Sequence, residues 1–175
     1  MASIGHVAVG LAAGRAFTKD PALAKKAMWA FSIVAMWPDV DAVGFLFGVH
    51  YGDPFGHRGA THSLVLALVL GALAWAFSVR RGLPPARTAI FTTVVAASHG
   101  LLDTMTYGGG LGVALLWPFS NARFWAPHVL RVIPIAPIGP AIVSPIGLKV
   151  MLAELFLFAP FWIYALAPRR TTPAS

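Results

Sequence analysis

The sequence predicts an all-α integral membrane protein with about four transmembrane helices, a short N-terminal half-inserted helix and a Pro/Gly-rich outer loop. Three observations carry this reading. Of 175 residues, 58% are hydrophobic and only 11% charged, against about 25% charged in soluble domains; the mean hydropathy is +0.74. Four apolar segments reach the roughly 20 helical residues that cross a hydrocarbon core of about 30 Å. Basic residues gather at alternate ends of those segments, as a fixed orientation in a membrane requires.

The segments are residues 28–49, 62–79, 86–107 and 147–167. Residues 4–17 are apolar but short for a full crossing, which suits a half-inserted or re-entrant helix. Arg15, Lys19, Lys25 and Lys26 precede the first span, Arg80, Arg81 and Arg87 lie between the second and third, and Arg169 and Arg170 follow the fourth. The other side receives Arg58, Arg123, Arg131 and Lys149. The positive-inside rule then puts both termini in the cytoplasm. A short loop (50–61) and a long one (108–146) fall outside. The long loop carries Pro118, Pro127, Pro134, Pro137, Pro140 and Pro145 yet stays apolar, so it is expected on or in the membrane surface, with Trp117, Phe119, Phe124 and Trp125 at the interface. No positive charge precedes residues 4–13, so no cleavable signal is expected. Residues 1–175 are read as one domain.

The balance of 13 Lys+Arg against 6 Asp+Glu would suggest nucleic acid in a soluble protein. Here the basic residues flank apolar runs, where orientation and anionic lipids account for them, and no nucleic-acid partner is expected. Cysteine is absent, which excludes disulfides and thiolate ligands. Any metal must use His, Asp or Glu.

Ionisable residues inside spans are costly and therefore informative. Asp39 and Asp41 fall mid-span after Pro38, which disrupts the helix and lets both carboxylates turn towards one site. Two such carboxylates repel unless a cation lies between them. His99 and Asp103, at i and i+4, share a helix face and can converge on one ion, although a simple His–Asp hydrogen bond is the plain alternative. The segment His57-Arg58-Gly59-Ala60-Thr61-His62-Ser63 packs two histidines, an arginine and two hydroxyls at the mouth of the second span; a helix cap at Thr61 or Ser63 explains the hydroxyls but not the rest. At about 1.5 Å per residue, His6 stands roughly 13 Å from Arg15, Asp39 and Asp41 roughly 16 to 20 Å from residue 28, His99 and Asp103 roughly 18 to 24 Å from Arg87, and His62 roughly 27 Å from Arg80. All can meet in the outer half of the bilayer. His50 and His128 read as surface residues, and Glu154 as a neutral, hydrogen-bonded bundle residue.

The order of these motifs, His6, then Pro38-Asp39-x-Asp41, then His57 to Ser63, then His99-x-x-x-Asp103, resembles the YdjM-like, LexA-binding, inner membrane-associated metal-dependent hydrolase family over roughly residues 1–165. The resemblance implies a divalent metal site, zinc or alternatively manganese, with one or more ions, and a distant kinship with zinc phospholipase C and related nucleases. The expected activity is hydrolysis of a phosphoester in a lipid or lipid-like substrate, since a site within the bilayer is most easily reached from the bilayer. His6, Asp39, Asp41, His62, His99 and Asp103 would hold the metal, which activates water. Arg58 would clamp the phosphate, and His57 would be a further ligand or the general acid. Thr61 and Ser63 would orient the histidines. Two alternatives remain at this stage: an amide or acyl-ester lipid hydrolase, and a non-enzymatic metal-ion or proton carrier. The absence of HExxH argues against a zinc membrane protease.

Overall fold

Several of the helices begin where a side chain accepts from their orphan N–H groups. The computed structural model describes residues 3–135, 137, 141 and 143–169; Pro140 and Arg170 lie outside the described residues. In chain order come α1 (Ser3–Phe17), α2 (Pro21–Met36), the 3-10 helix η1 (Trp37–Phe47), the single 3-10 turn η2 (Ala60–His62), α3 (Leu64–Arg81), α4 (Pro85–Thr104), β1 (Thr106–Tyr107), the 3-10 turn η3 (His128–Leu130), β2 (Ile133–Pro134), α5 (Pro145–Leu157) and α6 (Ala159–Leu166). Strands β1 and β2 pair in parallel over two residues each, a minor addition to an otherwise helical molecule.

The first span opens at Pro21 rather than at residue 28. Asp20 caps it, accepting from the backbone N–H of Ala22 at 2.8 Å and Leu23 at 3.3 Å, and Pro21 at the first helical position loses no bond by lacking an N–H. Lys25 and Lys26 therefore lie within the helix rather than ahead of it. Ser63 caps α3 through the Leu66 N–H at 3.1 Å. The start of α1 is capped from a distance: Glu154 of α5, 1% exposed, accepts from the Ile4 and Gly5 N–H groups at 3.1 and 3.3 Å. That is the hydrogen-bonded bundle role expected of it.

By length and apolarity, Pro21–Phe47 and Leu64–Arg81 can each cross a membrane, and α5 with α6 makes a third span if the pair is counted as one. The expected continuous helix over 147–167 is broken by a 64° bend, because Pro160 has no N–H to donate and its ring crowds the preceding turn. Helix α4 has the length, but Thr88, Thr92, Thr93, Ser98, His99 and Asp103 lower its apolarity. Helix α1 is one continuous apolar helix among the described residues and packs against α2, α4, α5 and α6.

The bundle is polar inside and apolar outside. Leu68, Leu73, Ile90, Val94 and Phe156 are exposed, while His6, Asp39, His57, Arg58, His62, His99 and Asp103 are buried. Without a hydrophobic drive between helices in lipid, close packing must hold them together. Gly10 and Gly14 provide it for α1 and α2: a Cβ on Gly14 would stand 2.2 Å from the Met28 backbone, and one on Gly10 would stand 2.5 Å from that of Ser32. Away from the polar residues the helices close on Phe17, Ala27, Phe31, Ala35 and Val95.

The long loop folds back over the end of the bundle. Ala114 N–H donates to the Arg58 carbonyl at 2.9 Å and Leu64 N–H to that of Leu115 at 3.0 Å, while Val113 and Phe124 form an antiparallel bridge. Arg123 locks this layer. Its NH1 donates to the carbonyls of His57 (3.0 Å) and Gly112 (3.3 Å), and its NH2 to those of Tyr51 (3.0 Å) and Asp53 (3.1 Å). Phe119 is exposed, as an interfacial residue would be, but Trp125 turns inward, between the guanidinium groups of Arg58 and Arg131.

Two outcomes follow. Gly14→Ala is expected to destabilise the protein by about 1–3 kcal/mol despite alanine's better helix propensity, while Val69→Ala on the exposed face of α3 stays within about 0.5 kcal/mol; detergent unfolding followed by tryptophan fluorescence measures both. Arg123→Ala leaves the His57, Gly112 and Tyr51 carbonyls without their donor, Asp53 keeping the Gly56 N–H, and should cost at least about 2 kcal/mol, with faster limited proteolysis across residues 108–135. Arg123→Lys should not restore it, because an ammonium cannot reproduce the fork.

Candidate metal centre

Pro38 converts the regular helix into η1, and the tighter winding, about three residues per turn, sends Asp39 and Asp41 in different directions. Both turn into one region, as expected from the disruption at Pro38, but they flank the ring of His62 rather than meet at one point. Asp39 Oδ1 lies 3.7 Å from His62 Nε2, and Asp41 Oδ2 lies 3.1 Å from His62 Nδ1. His62 ends η2, and α4 brings His99 and Asp103 to it. Gly100 permits that approach, since a Cβ there would meet the His62 carbonyl oxygen at 2.3 Å.

One atom each from Asp39, His62, His99 and Asp103 converges into a buried group that could hold a metal ion. The His62 and His99 Nε2 atoms face each other at 3.1 Å. Asp39 Oδ1 is 3.5 Å from His99 Nε2, and Asp103 Oδ2 is 3.6 Å from His62 Nε2. Two ligands about 2.0–2.1 Å from a tetrahedral zinc stand roughly 3.3 Å apart, so the spacing fits.

The chemistry of the donors fits as well. His99 Nδ1 lies 2.6 Å from the Ala35 carbonyl oxygen, which can only accept, so Nδ1 carries the proton and Nε2 presents a lone pair. His62 Nδ1 meets the Asp41 carboxylate and Thr61 Oγ1 at 3.1 and 3.0 Å, which gives the same tautomer. Both Asp39 oxygens and Asp103 Oδ2 lack a hydrogen-bond donor. Four acceptors therefore point at one another with no proton between them, an arrangement that a cation resolves. The charges agree: the side chains of Asp39, Asp41 and Asp103 are 5%, 1% and 0% exposed, and one buried guanidinium, Arg58, stands with them.

The remaining expected residues surround this group. His6 stacks on His99 with ring centroids 3.8 Å apart and reaches Asp103 Oδ1 at 3.4 Å, so it lies beside the four converging atoms. Asp41 also lies outside them: it accepts from His57 Nδ1 at 2.7 Å, from the Arg58 N–H at 3.2 Å and from the Thr61 hydroxyl. Asp41, His57 and His62 form a second possible ligand group, but its contacts pair donors with acceptors and are satisfied as hydrogen bonds. Ser63 caps α3 rather than touching a histidine, so of the two hydroxyls expected to orient the histidines only Thr61 does so. His50 is exposed and pairs with Asp53, and His128 is exposed.

Arg58 adopts φ of 64°, a left-handed conformation that costs an ordinary residue roughly 1–2 kcal/mol. That turn buries its guanidinium. Nε stands 2.9 Å from Asp103 Oδ2 as a charge pair, without the alignment of a hydrogen bond, and NH2 has no partner. Tyr51 packs edge-on against His57, and burial raises its phenol above the ordinary pKa. Sequence reasoning missed three supports: the Ala35 carbonyl, Gly100 and Arg123. The His99-Gly100 pair and an arginine in an apolar Pro/Gly loop were the available signals for two of them.

With this geometry in hand, comparison with known proteins places the chain. No solved structure matches it. An inner membrane protein, YbcI of Escherichia coli (strain K12), is 43% identical over 155 residues, covering 87% of this chain and 87% of that relative. A family model described as YdjM inner membrane protein matches residues 1–170. The chain belongs to the YdjM inner membrane protein family.

Proposed function

We propose that this protein is an inner-membrane, metal-dependent hydrolase that cleaves a phosphoester in a lipid or lipid-like substrate. The observation that carries the reading is the convergence of four buried ligand atoms, from Asp39, His62, His99 and Asp103, with both Asp39 oxygens and Asp103 Oδ2 lacking a hydrogen-bond donor. Their histidine and carboxylate character suits zinc, with manganese as the alternative. A divalent cation at this point supplies Lewis acidity, polarising an ester and activating water near neutral pH.

The chain's own groups fall into roles around it. Asp41 and Thr61 hold the His62 tautomer, and the Ala35 carbonyl holds that of His99. Arg58, with NH2 unpaired, binds an anionic substrate oxygen. His57, anchored through Nδ1 by Asp41, hands a proton to the leaving oxygen. His6 orients Asp103. An apolar groove of about 770 Å³ between α1 and α2 includes Val7 and Val40, the sequence neighbours of His6 and Asp39. It suits an acyl chain arriving from the bilayer.

The carrier alternative needs polar groups on both sides of the site. The half of the bundle beyond it closes on Phe17, Phe31, Ala27 and Val95, which favours a reaction site over a path. In the membrane the proposed arrangement is four crossings with a cytoplasmic C-terminus, supported by the gathering of Arg15, Lys19, Arg80, Arg81 and Arg87 at the end away from the metal group; the cytoplasmic N-terminus expected from the charges does not suit α1, whose Ser3 end stands on the metal side, about 18 Å along the helix from Arg15.

Elemental analysis of detergent-purified protein is the direct test. The expected result is about one zinc or manganese ion per chain, lost in Asp39→Asn and His99→Ala and held about 10- to 100-fold more weakly in Asp41→Asn. Wild-type protein that remains free of metal after supplementation sinks the reading. For the reaction, His57→Gln should slow release of a phosphorylated headgroup from lipid substrates by about 10²- to 10⁴-fold while leaving metal content unchanged.

A further inference from the structure

At the end of the bundle away from the metal centre, a cleft of about 880 Å³ is lined by Arg15, Lys19, Arg87 and Arg169 together with Phe17, Leu23 and Tyr164. Arg15 and His6 are separated by about 13 Å along α1, and Arg87 and His99 by about 18 Å along α4, so this is a separate place in the molecule. Among the described residues none of the four cations is paired with a carboxylate. The three arginines donate to backbone carbonyls, Arg15 to Ala165 and Ala167, Arg87 to Ala16, and Arg169 to Arg15, Thr18 and Lys19, and Arg15 and Arg87 also lie over the rings of Tyr164 and Phe17. Asp20, the carboxylate next in sequence, is turned to the start of α2. Such contacts aim the guanidinium groups but leave their charge uncompensated, and each still has free N–H donors.

Two apolar grooves adjoin this cleft. One, of about 670 Å³, runs among α2, α3 and α4 and shares Phe17 and Leu23 with it. The other, of about 420 Å³, runs among α1, α4 and α6 and shares Ala16 and Tyr164. A cationic pocket flanked by two separate apolar grooves, each sharing lining residues with it, matches one molecule with a single anionic head and two hydrocarbon chains.

We propose that this cleft and its two grooves bind one anionic diacyl phospholipid, its phosphate among Arg15, Lys19, Arg87 and Arg169 and one acyl chain in each groove. The lipid bridges the ends of α1, α4 and α6 and serves as a fixed structural ligand, independent of any reaction at the metal centre.

Native mass spectrometry of the full chain, titrated with phosphatidylglycerol and with phosphatidylcholine, tests this. Wild type should retain one phosphatidylglycerol with at least a tenfold preference over phosphatidylcholine. Lys19→Gln combined with Arg87→Gln should abolish the preference, while Lys149→Gln, an exposed basic residue in α5, should keep it. Soluble glycerol phosphate, which has the head without the chains, should not displace the lipid at equal concentration. Equal retention of the two lipids by wild type, displacement by glycerol phosphate, or an unchanged preference in the double variant would each overturn the proposal. The first two readings need no variant, so a double variant that fails to fold does not shield it.

Discussion

Three carboxylates, a guanidinium and four histidines are buried inside a bundle whose outer surface is apolar, and the rest of the molecule is arranged to make that tolerable. A charge removed from water costs several kcal/mol unless it is paired and hydrogen-bonded. Asp41 meets this demand fully, accepting from His57, Arg58 and Thr61. Asp39 does not: neither of its oxygens has a donor. The difference between two aspartates separated by one residue separates scaffold from centre. Asp41 is spent on holding other groups in place, and Asp39 is kept free for something that the protein does not itself supply.

Holding these groups requires the backbone to come unusually close in several places. Glycines at α1 against α2 and at Gly100 against η2 remove the side chains that would keep the helices apart. The switch from α2 into η1 at Trp37–Pro38 sets the angle between Asp39 and Asp41. Arg58 takes a left-handed conformation so that its side chain goes inward. The outer loop then closes the end, with Arg123 gathering four carbonyls from three segments. Each device is costly or unusual alone, and all of them serve the same small volume.

The two ends of the bundle differ in how they treat charge. At the candidate metal centre opposite charges are buried together, and hydrogen bonds orient His57, His62, His99 and Asp41. At the other end the cations have no carboxylate partner among the described residues, and the arginines are held by carbonyl oxygens and aromatic faces, with the aromatic plug around Phe17 and Phe31 between the two regions. The first arrangement suits chemistry on a polarised bond in a dry site. The second suits attraction to a phosphate at the membrane surface, where the local charge is negative.

Much of this was legible in the chain itself. Composition and the length of apolar runs dictate a helical membrane protein, because a backbone in lipid must satisfy its own hydrogen bonds. The cost of intramembrane charge singled out His6, Asp39, Asp41, His57, Arg58, His62, His99 and Asp103, all of which meet in one region. Local rules also identified a disruption at Pro38 and a possible helix cap at either Thr61 or Ser63. What they could not supply was the division of labour among those residues, since it turns on angles and distances of an ångström or less between segments far apart in sequence. Only the tertiary structure decided that Asp41 faces Nδ1 of His62 while Asp39 faces Nε2, that His6 meets Asp103 beside the central four, that Ser63 serves a helix end, and that α5 and α6 bend apart. Periodicity reports which residues share a face of one helix; it carries no information on how that helix is rotated against its neighbours, and that rotation determines which lone pairs meet.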